Sequence, residues 1–233
     1  MKSKIKKTTS LVVTILALAV LILIAINTGS IKVTPAQLFS GLFIKYDPQV
    51  ATIYDLRLPR IFIAITAGAA TAVSGVLLQA VMKNPLADPG IIGVSSGASL
   101  VAVIVTAYLP SLYMTIPFLA MLGGLISFFI VYTLSWDKGL SPLRIMLVGV
   151  AVNSCLTGII SAFSTIGGST YSGAASIVNG NITLKTWSDF KMLIVYVLIG
   201  LVAAIFMARS CNLMGLEDKT ARSVGVNVTR NRI

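Results

Sequence analysis

Residues 89–136 read PGIIGVSSGASLVAVIVTAYLPSLYMTIPFLAMLGGLISFFIVYTLSW, and none of these 48 positions carries a charge. Crossing the roughly 30 Å hydrocarbon core of a bilayer takes about 20 apolar residues in a helix. The run is therefore too long for one crossing. It is interrupted at Leu109-Pro110-Ser111, where proline removes a backbone donor and punctuates a helix. Two spans follow, at about 91–109 and 113–134.

Working outward, four more intervals suit a membrane. Thr8 to Ile31 is charge-free with its apolar heart at 11–26, and a span at 61–82 is bracketed by Arg60 and Lys83. On the other side, a span at 143–163 precedes Ser164 to Asn181, which is rich in Gly, Ser, Thr and Asn and reads as an ordered external loop; the last span covers 192–208. The expectation is all-α: a polytopic transmembrane helical bundle of about six spans, forming a single domain over 1–233.

Composition agrees. Hydrophobic residues make up 56% of the 233 positions and charged ones 11%, against about 25% charged in a typical soluble domain. The net charge of +11 does not point to nucleic acid, because the basic residues sit at the edges of apolar blocks, where they fix topology. Counted over alternate connections, twelve Lys and Arg share the side of the two termini and six lie on the other. The termini are predicted cytoplasmic. No small-x-small site closes the first run at Ile26-Asn27-Thr28-Gly29, so it reads as an uncleaved span rather than a signal peptide.

Chemistry-bearing constellations are missing. Histidine is absent, Cys155 and Cys211 stand far apart, and no paired carboxylates, nucleophile–base pair or Gly-x-x-x-x-Gly-Lys-Ser/Thr phosphate loop is present. The expected protein is no enzyme, binds no metal or cofactor, and leaves any nucleotide chemistry to another chain. The apolar cores also lack ionisable groups, which argues against an ion-coupled secondary transporter. Their small residues, such as Gly68, Ala69, Ala70, Ser74, Gly75 and the Gly93-x-x-x-Gly97 pair, suit close helix packing or a roomy solute path.

Three segments ask for more than packing. Asn84-Pro85-Leu86-Ala87-Asp88-Pro89-Gly90 is a forced turn, and Gly93-Val94-Ser95-Ser96-Gly97 places polar groups at membrane depth just after it. It is either an ordinary tight turn or backbone facing a cavity, the latter making Asn84, Asp88, Ser95 and Ser96 candidates for a translocation path. Arg57-Leu58-Pro59-Arg60 puts two arginines on the less basic side, as headgroup anchors or as docking groups for carboxylates. The 212–227 segment carries a short helix at about Leu216–Val224, with Glu217 and Asp218 in its first turn, Arg222 four residues after Asp218, and Gly225 as a C-terminal cap. Such a helix lies on a membrane or sits in a partner's groove.

Taken in order, Arg57-Leu58-Pro59-Arg60, Ser74-Gly75-Val76-Leu77-Leu78-Gln79, Asn84-Pro85-Leu86-Ala87-Asp88-Pro89-Gly90 and Gly93-Val94-Ser95-Ser96-Gly97-Ala98 resemble the signature of the FecCD-type permeases. These are membrane subunits of ATP-binding-cassette importers for iron–siderophores, haem and cobalamin, with the type II importer permease fold. Thr186-Trp187-Ser188-Asp189 resembles the family's external loop, and Leu216 to Asn227 its coupling motif. The resemblance implies a second permease subunit, identical or paralogous, two cytoplasmic ATPases carrying ATP and Mg, and an extracytoplasmic binding protein, all at a bacterial cytoplasmic membrane. It implies that Arg57, with Arg60 secondary, pairs with a carboxylate of the binding protein. Gly215, Leu216, Glu217, Asp218, Ala221, Arg222, Val224 and Gly225 would insert into the ATPase cleft, and Ser141, Pro142 and Leu143 would form a cytoplasmic gate. Members of the family cross the membrane about ten times, so roughly four crossings have no counterpart here and the chain is expected to be truncated or one part of a split protein. The competing reading from the residues is an ATP-independent secondary transporter or channel.

Overall fold

The computed structural model describes residues 2–137, 141–166 and 180–214. Their regular structure is helical: α1 (Lys2–Asn27), α2 (Pro35–Phe43), α3 (Pro48–Leu56), α4 (Leu58–Met82), α5 (Val94–Tyr108), α6 (Ile116–Ser135), α7 (Pro142–Ile166) and α8 (Trp187–Met214). Short 3₁₀ turns at Pro89–Ile92 and Pro110–Thr115 precede α5 and α6. Five helical segments are long and apolar enough to cross a membrane: Thr8–Asn27, Pro48–Met82, Ile116–Ser135, Pro142–Phe163 and Trp187–Asn212. The chain is a multi-pass membrane protein.

The third expected span departs from its template. At 15 residues α5 rises only about 22 Å, because the chain before it is a 3₁₀ turn ended by Gly93 at φ +83°. That left-handed conformation is one that glycine adopts without strain. The Leu109-Pro110-Ser111 break falls where the sequence places it, but six residues of 3₁₀ turn delay α6 to Ile116. The last span begins at Trp187, so Thr186-Trp187-Ser188-Asp189 is the cap and first turn of α8 rather than a loop before it. Likewise Ser164 to Ile166 continue α7. Of the expected coupling segment 212–227, residues 212–214 end α8, and the expected helix at Leu216–Val224 lies outside the described residues.

Two compact units divide the chain. The first takes residues 1–68 and 182–197. Two helices here, α2 and α3, fill what the sequence leaves as a connection. Thr34 opens α2 with a capping box: its hydroxyl accepts from Gln37 N at 3.2 Å, and Gln37 Oε1 accepts from Thr34 N at 3.0 Å. Asp47 opens α3 by accepting from Gln49 N at 2.8 Å and Val50 N at 3.3 Å. Both caps precede a proline at the first helical position, where its missing donor costs nothing. Ile26, Val33, Val50 and Ile53 form the buried core, with Leu38, Leu42, Leu58 and Ile61 packed against it.

The second unit takes residues 69–181 and 198–233. Its centre is α5 against α6, a contact made by small side chains. A Cβ on Gly97 would sit 2.4 Å from the Ser127 Cβ and 2.7 Å from the Gly123 carbonyl oxygen, and one on Gly123 would sit 2.4 Å from Val101 Cγ2. Lipid supplies no hydrophobic drive between helices, so association depends on such close backbone approach. Met82, Ala87, Ile92 and Val131 pack with Ile145, Val148 and Val152 of α7.

Candidate functional site

In the first unit Arg57 terminates α3. Its backbone N–H donates to the Ile53 carbonyl at 2.9 Å. Its Nη1 donates to the carbonyls of Ile26 and, at 2.8 Å, Ile31. The last carbonyls of a helix have no internal partner and form the negative end of its dipole, so a guanidinium there is doubly favourable. Gly29 makes room: it lies at φ +122°, and a Cβ on it would be 2.7 Å from Arg57 Nη2. Asn27 and Thr28 finish the same helix end, with Val33 N donating to Asn27 Oδ1 at 3.1 Å and the Thr28 hydroxyl donating to the Ile24 carbonyl at 2.7 Å. Arg60 is half-buried, and its Nε is shielded from solvent with no partner among the described residues.

The same unit holds the Thr186–Asp189 motif. Asp189 Oδ2 accepts from Thr186 N at 2.9 Å and from the Thr186 hydroxyl at 3.0 Å, and Oδ1 accepts from Lys185 Nζ at 3.3 Å. Trp187 Nε1 donates to the Tyr54 carbonyl at 3.0 Å, and its ring lies 5.0 Å from Tyr54 and 5.7 Å from Phe62. The motif is a helix start pinned to α3.

In the second unit the expected path residues separate. Asn84 Oδ1 accepts from Leu86 N at 2.9 Å, and Asp88 Oδ1 accepts from Gly90 N at 2.6 Å; both side chains shape the turn itself. Asn84 Nδ2 also reaches Met146 Sδ at 3.6 Å. That contact brings the Asn84–Gly90 turn and the start of α7, with Ser141, Pro142 and Leu143, to one end of the unit. Ser141 and Leu143 are exposed there and Pro142 half-buried, while Arg144 pairs with Asp137 at 2.9 Å across the α6–α7 connection.

Ser95 and Ser96 are neighbours with opposite surroundings. Ser95 is exposed and Ser96 buried. The Ser96 hydroxyl donates to the Gly93 carbonyl at 2.9 Å, beside the Ser127 hydroxyl at 2.7 Å and Gly97 N at 3.0 Å. Three donors on one carbonyl satisfy the backbone where the left-handed Gly93 interrupts the chain, and an unpaired group in an apolar setting costs on the order of several kcal/mol. Ser127 is a residue the sequence reading missed; its spacing of four from Gly123 is the signal that marks it. Among the described residues no group of three His, Cys, Asp or Glu converges as a metal ion would need.

Comparison with known proteins gives this arrangement a context. The FecCD transport family model matches residues 17–233, and the chain belongs to that family. Two relatives from Staphylococcus aureus, strains bovine RF122 / ET3-1 and MSSA476, carry the name Probable heme-iron transport system permease protein IsdF. They are 40% and 39% identical over 209 residues, 90% of this chain and 63% of theirs. The chain thus spans less than two thirds of the length of those relatives. A solved metal-chelate type ABC transporter in an inward-facing conformation superposes with a TM-score of 0.75 at 27% identity, covering 97% of this chain and 70% of that one.

Proposed function

We propose that this chain is the membrane permease part of an ATP-binding-cassette importer that carries haem iron or a related iron chelate, an iron–siderophore included, inward across the cytoplasmic membrane. The observation that carries the proposal is the family match over residues 17–233, on a chain whose solved likeness is a metal-chelate type ABC transporter. In this reading the N-terminus is cytoplasmic and the α2–α3 region is external. The working assembly holds a second permease subunit, two ATPases and an external binding protein.

The residue roles follow the same reading. Arg57, which also holds the α1 terminus, pairs with a carboxylate of the binding protein, and Arg60 is secondary. Ser141, Pro142 and Leu143, at the start of the helix whose Met146 meets Asn84, form the inner gate. The segment from Gly215 to Gly225 enters the ATPase, whose nucleotide-driven closure moves it between two states. A cysteine at Val224, oxidised in the presence of a cysteine-bearing co-expressed ATPase, is expected to cross-link in at least one nucleotide state. Absence of the cross-link in every state, with ion-gradient-driven flux in its place, would transfer the chain to the secondary transporters.

A further inference from the structure

The short helix α2 has three flanks, each with different surroundings. Leu38, Gly41 and Leu42 form the flank packed inward: the two leucines meet the buried core, and a Cβ on Gly41 would sit 2.6 Å from the Val50 side chain. Gln37 and Ser40 form a polar flank that lines an open cleft with Lys45, Tyr46, Asp47 and Gln49. Phe39 and Phe43, one helical turn apart, form the third flank. Their rings lie 5.2 Å from each other, and they are 61% and 74% exposed.

What covers this surface follows from the level at which it stands. The core under α2 contains Ile26 and Ile61. Ile26 is the last apolar residue of the first span, and Ile61 lies in the first turn of α4. A helix whose inner flank packs on the ends of two spans stands where hydrocarbon gives way to headgroups. Aromatic side chains are favoured at that depth. The exposed Lys32 and Lys45 on either side of α2 supply charge for lipid phosphates. The same unit carries a second aromatic group, Tyr54, Phe62, Trp187 and Phe190, at the start of the α8 span, as an interfacial belt would.

We infer that α2 is an interfacial helix that inserts Phe39 and Phe43 into the headgroup–acyl boundary of the bilayer at the Asn27 end of α1, with Gln37 and Ser40 left in water. The helix thereby fixes the depth of the first unit and holds the Arg57-clamped connection at the membrane surface.

The test is a nitroxide scan of the whole chain in phosphatidylethanolamine–phosphatidylglycerol vesicles. Cys155→Ser and Cys211→Ala clear the background, and Phe43→Cys or Gln37→Cys carries the label. Collision with oxygen relative to a water-soluble nickel chelate is expected to be severalfold higher at position 43 than at position 37, with a depth near the headgroup boundary. Equal ratios at the two positions would overturn the inference. Protection of position 43 from both agents would also overturn it, by showing that a second copy or a protein partner covers the flank. Phe39→Cys repeats the measurement at a second exposed residue of the same flank, so a folding defect at 43 does not decide the result.

Discussion

The two compact units are held together by different physics. In the second, α5 and α6 meet backbone to backbone at Gly97, Gly123 and Ser127, where a single added Cβ would lie within 2.4 Å of its neighbour. In the first, aliphatic side chains of Ile26, Val33, Val50 and Ile53 make the core, and capped helix ends and the Arg57 guanidinium finish it. Gly41 also approaches Val50 closely in the first unit, but its neighbours are side-chain atoms, whereas Gly97 and Gly123 in the second each face the other's carbonyl oxygen. A side chain added at such a contact should therefore be more damaging in the second unit than in the first.

The largest effect is expected from Gly97→Leu, which drives a branched side chain into the Gly123 carbonyl and the Ser127 Cβ. Overpacking of this kind costs about 1–3 kcal/mol or more, and a rigid helix pair with no room to shift belongs at the upper end. Thermal unfolding in detergent should show a large fall in Tm or loss of folded protein; a wild-type Tm would refute the tight-contact account. Next comes Arg57→Ala in the first unit, which strips the Ile26 and Ile31 carbonyls of a charged donor. Hydrogen bonds to charged groups contribute about 1.5–3 kcal/mol; partial exposure and nearby solvent place this loss toward or below the lower bound. Arg57→Lys should recover only part of it, because an ammonium lacks the planar fork. A full recovery would mean that charge alone matters at the α1 terminus.

Ser127→Ala should cost about 1 kcal/mol, since two donors remain on the Gly93 carbonyl; denaturant titration against Ser95→Ala, which is expected to be neutral, checks it. Smallest is the exposed Asp137–Arg144 pair, where Asp137→Asn should change stability by about 0.5 kcal/mol or less, and less still at high salt. An effect there as large as that of Gly97→Leu would invert the contrast between the units.

The spans were legible because hydrocarbon forbids charge. The intervals from Thr8, Ile61 and Pro89 are visible by the absence of Asp, Glu, Lys and Arg. The α2 and α3 helices were less legible, since neither is long and both mix polar with apolar residues. Yet Thr34-Pro35-Ala36-Gln37 and Asp47-Pro48 are capping signals that a closer look at the connection would use. The pair Ser95 and Ser96 was not separable from sequence. Which of the two faces inward depends on the left-handed Gly93 that sets the phase of α5. Arg57 illustrates a third case: its type and position suggest an outward-facing charge, but a guanidinium also reaches carbonyls 26 and 31 residues back in the chain, and nothing local announces that.

The proposed function requires ATP as its energy source, and one measurement addresses it. The chain, co-expressed with a candidate ATPase and permease partner and reconstituted in vesicles, is assayed for uptake of radiolabelled haem iron or ferric chelate delivered by a candidate binding protein. Accumulation that requires ATP, persists when ion gradients are collapsed and stops without the binding protein is the predicted result. Accumulation that follows an ion gradient and proceeds without ATP would contradict the account.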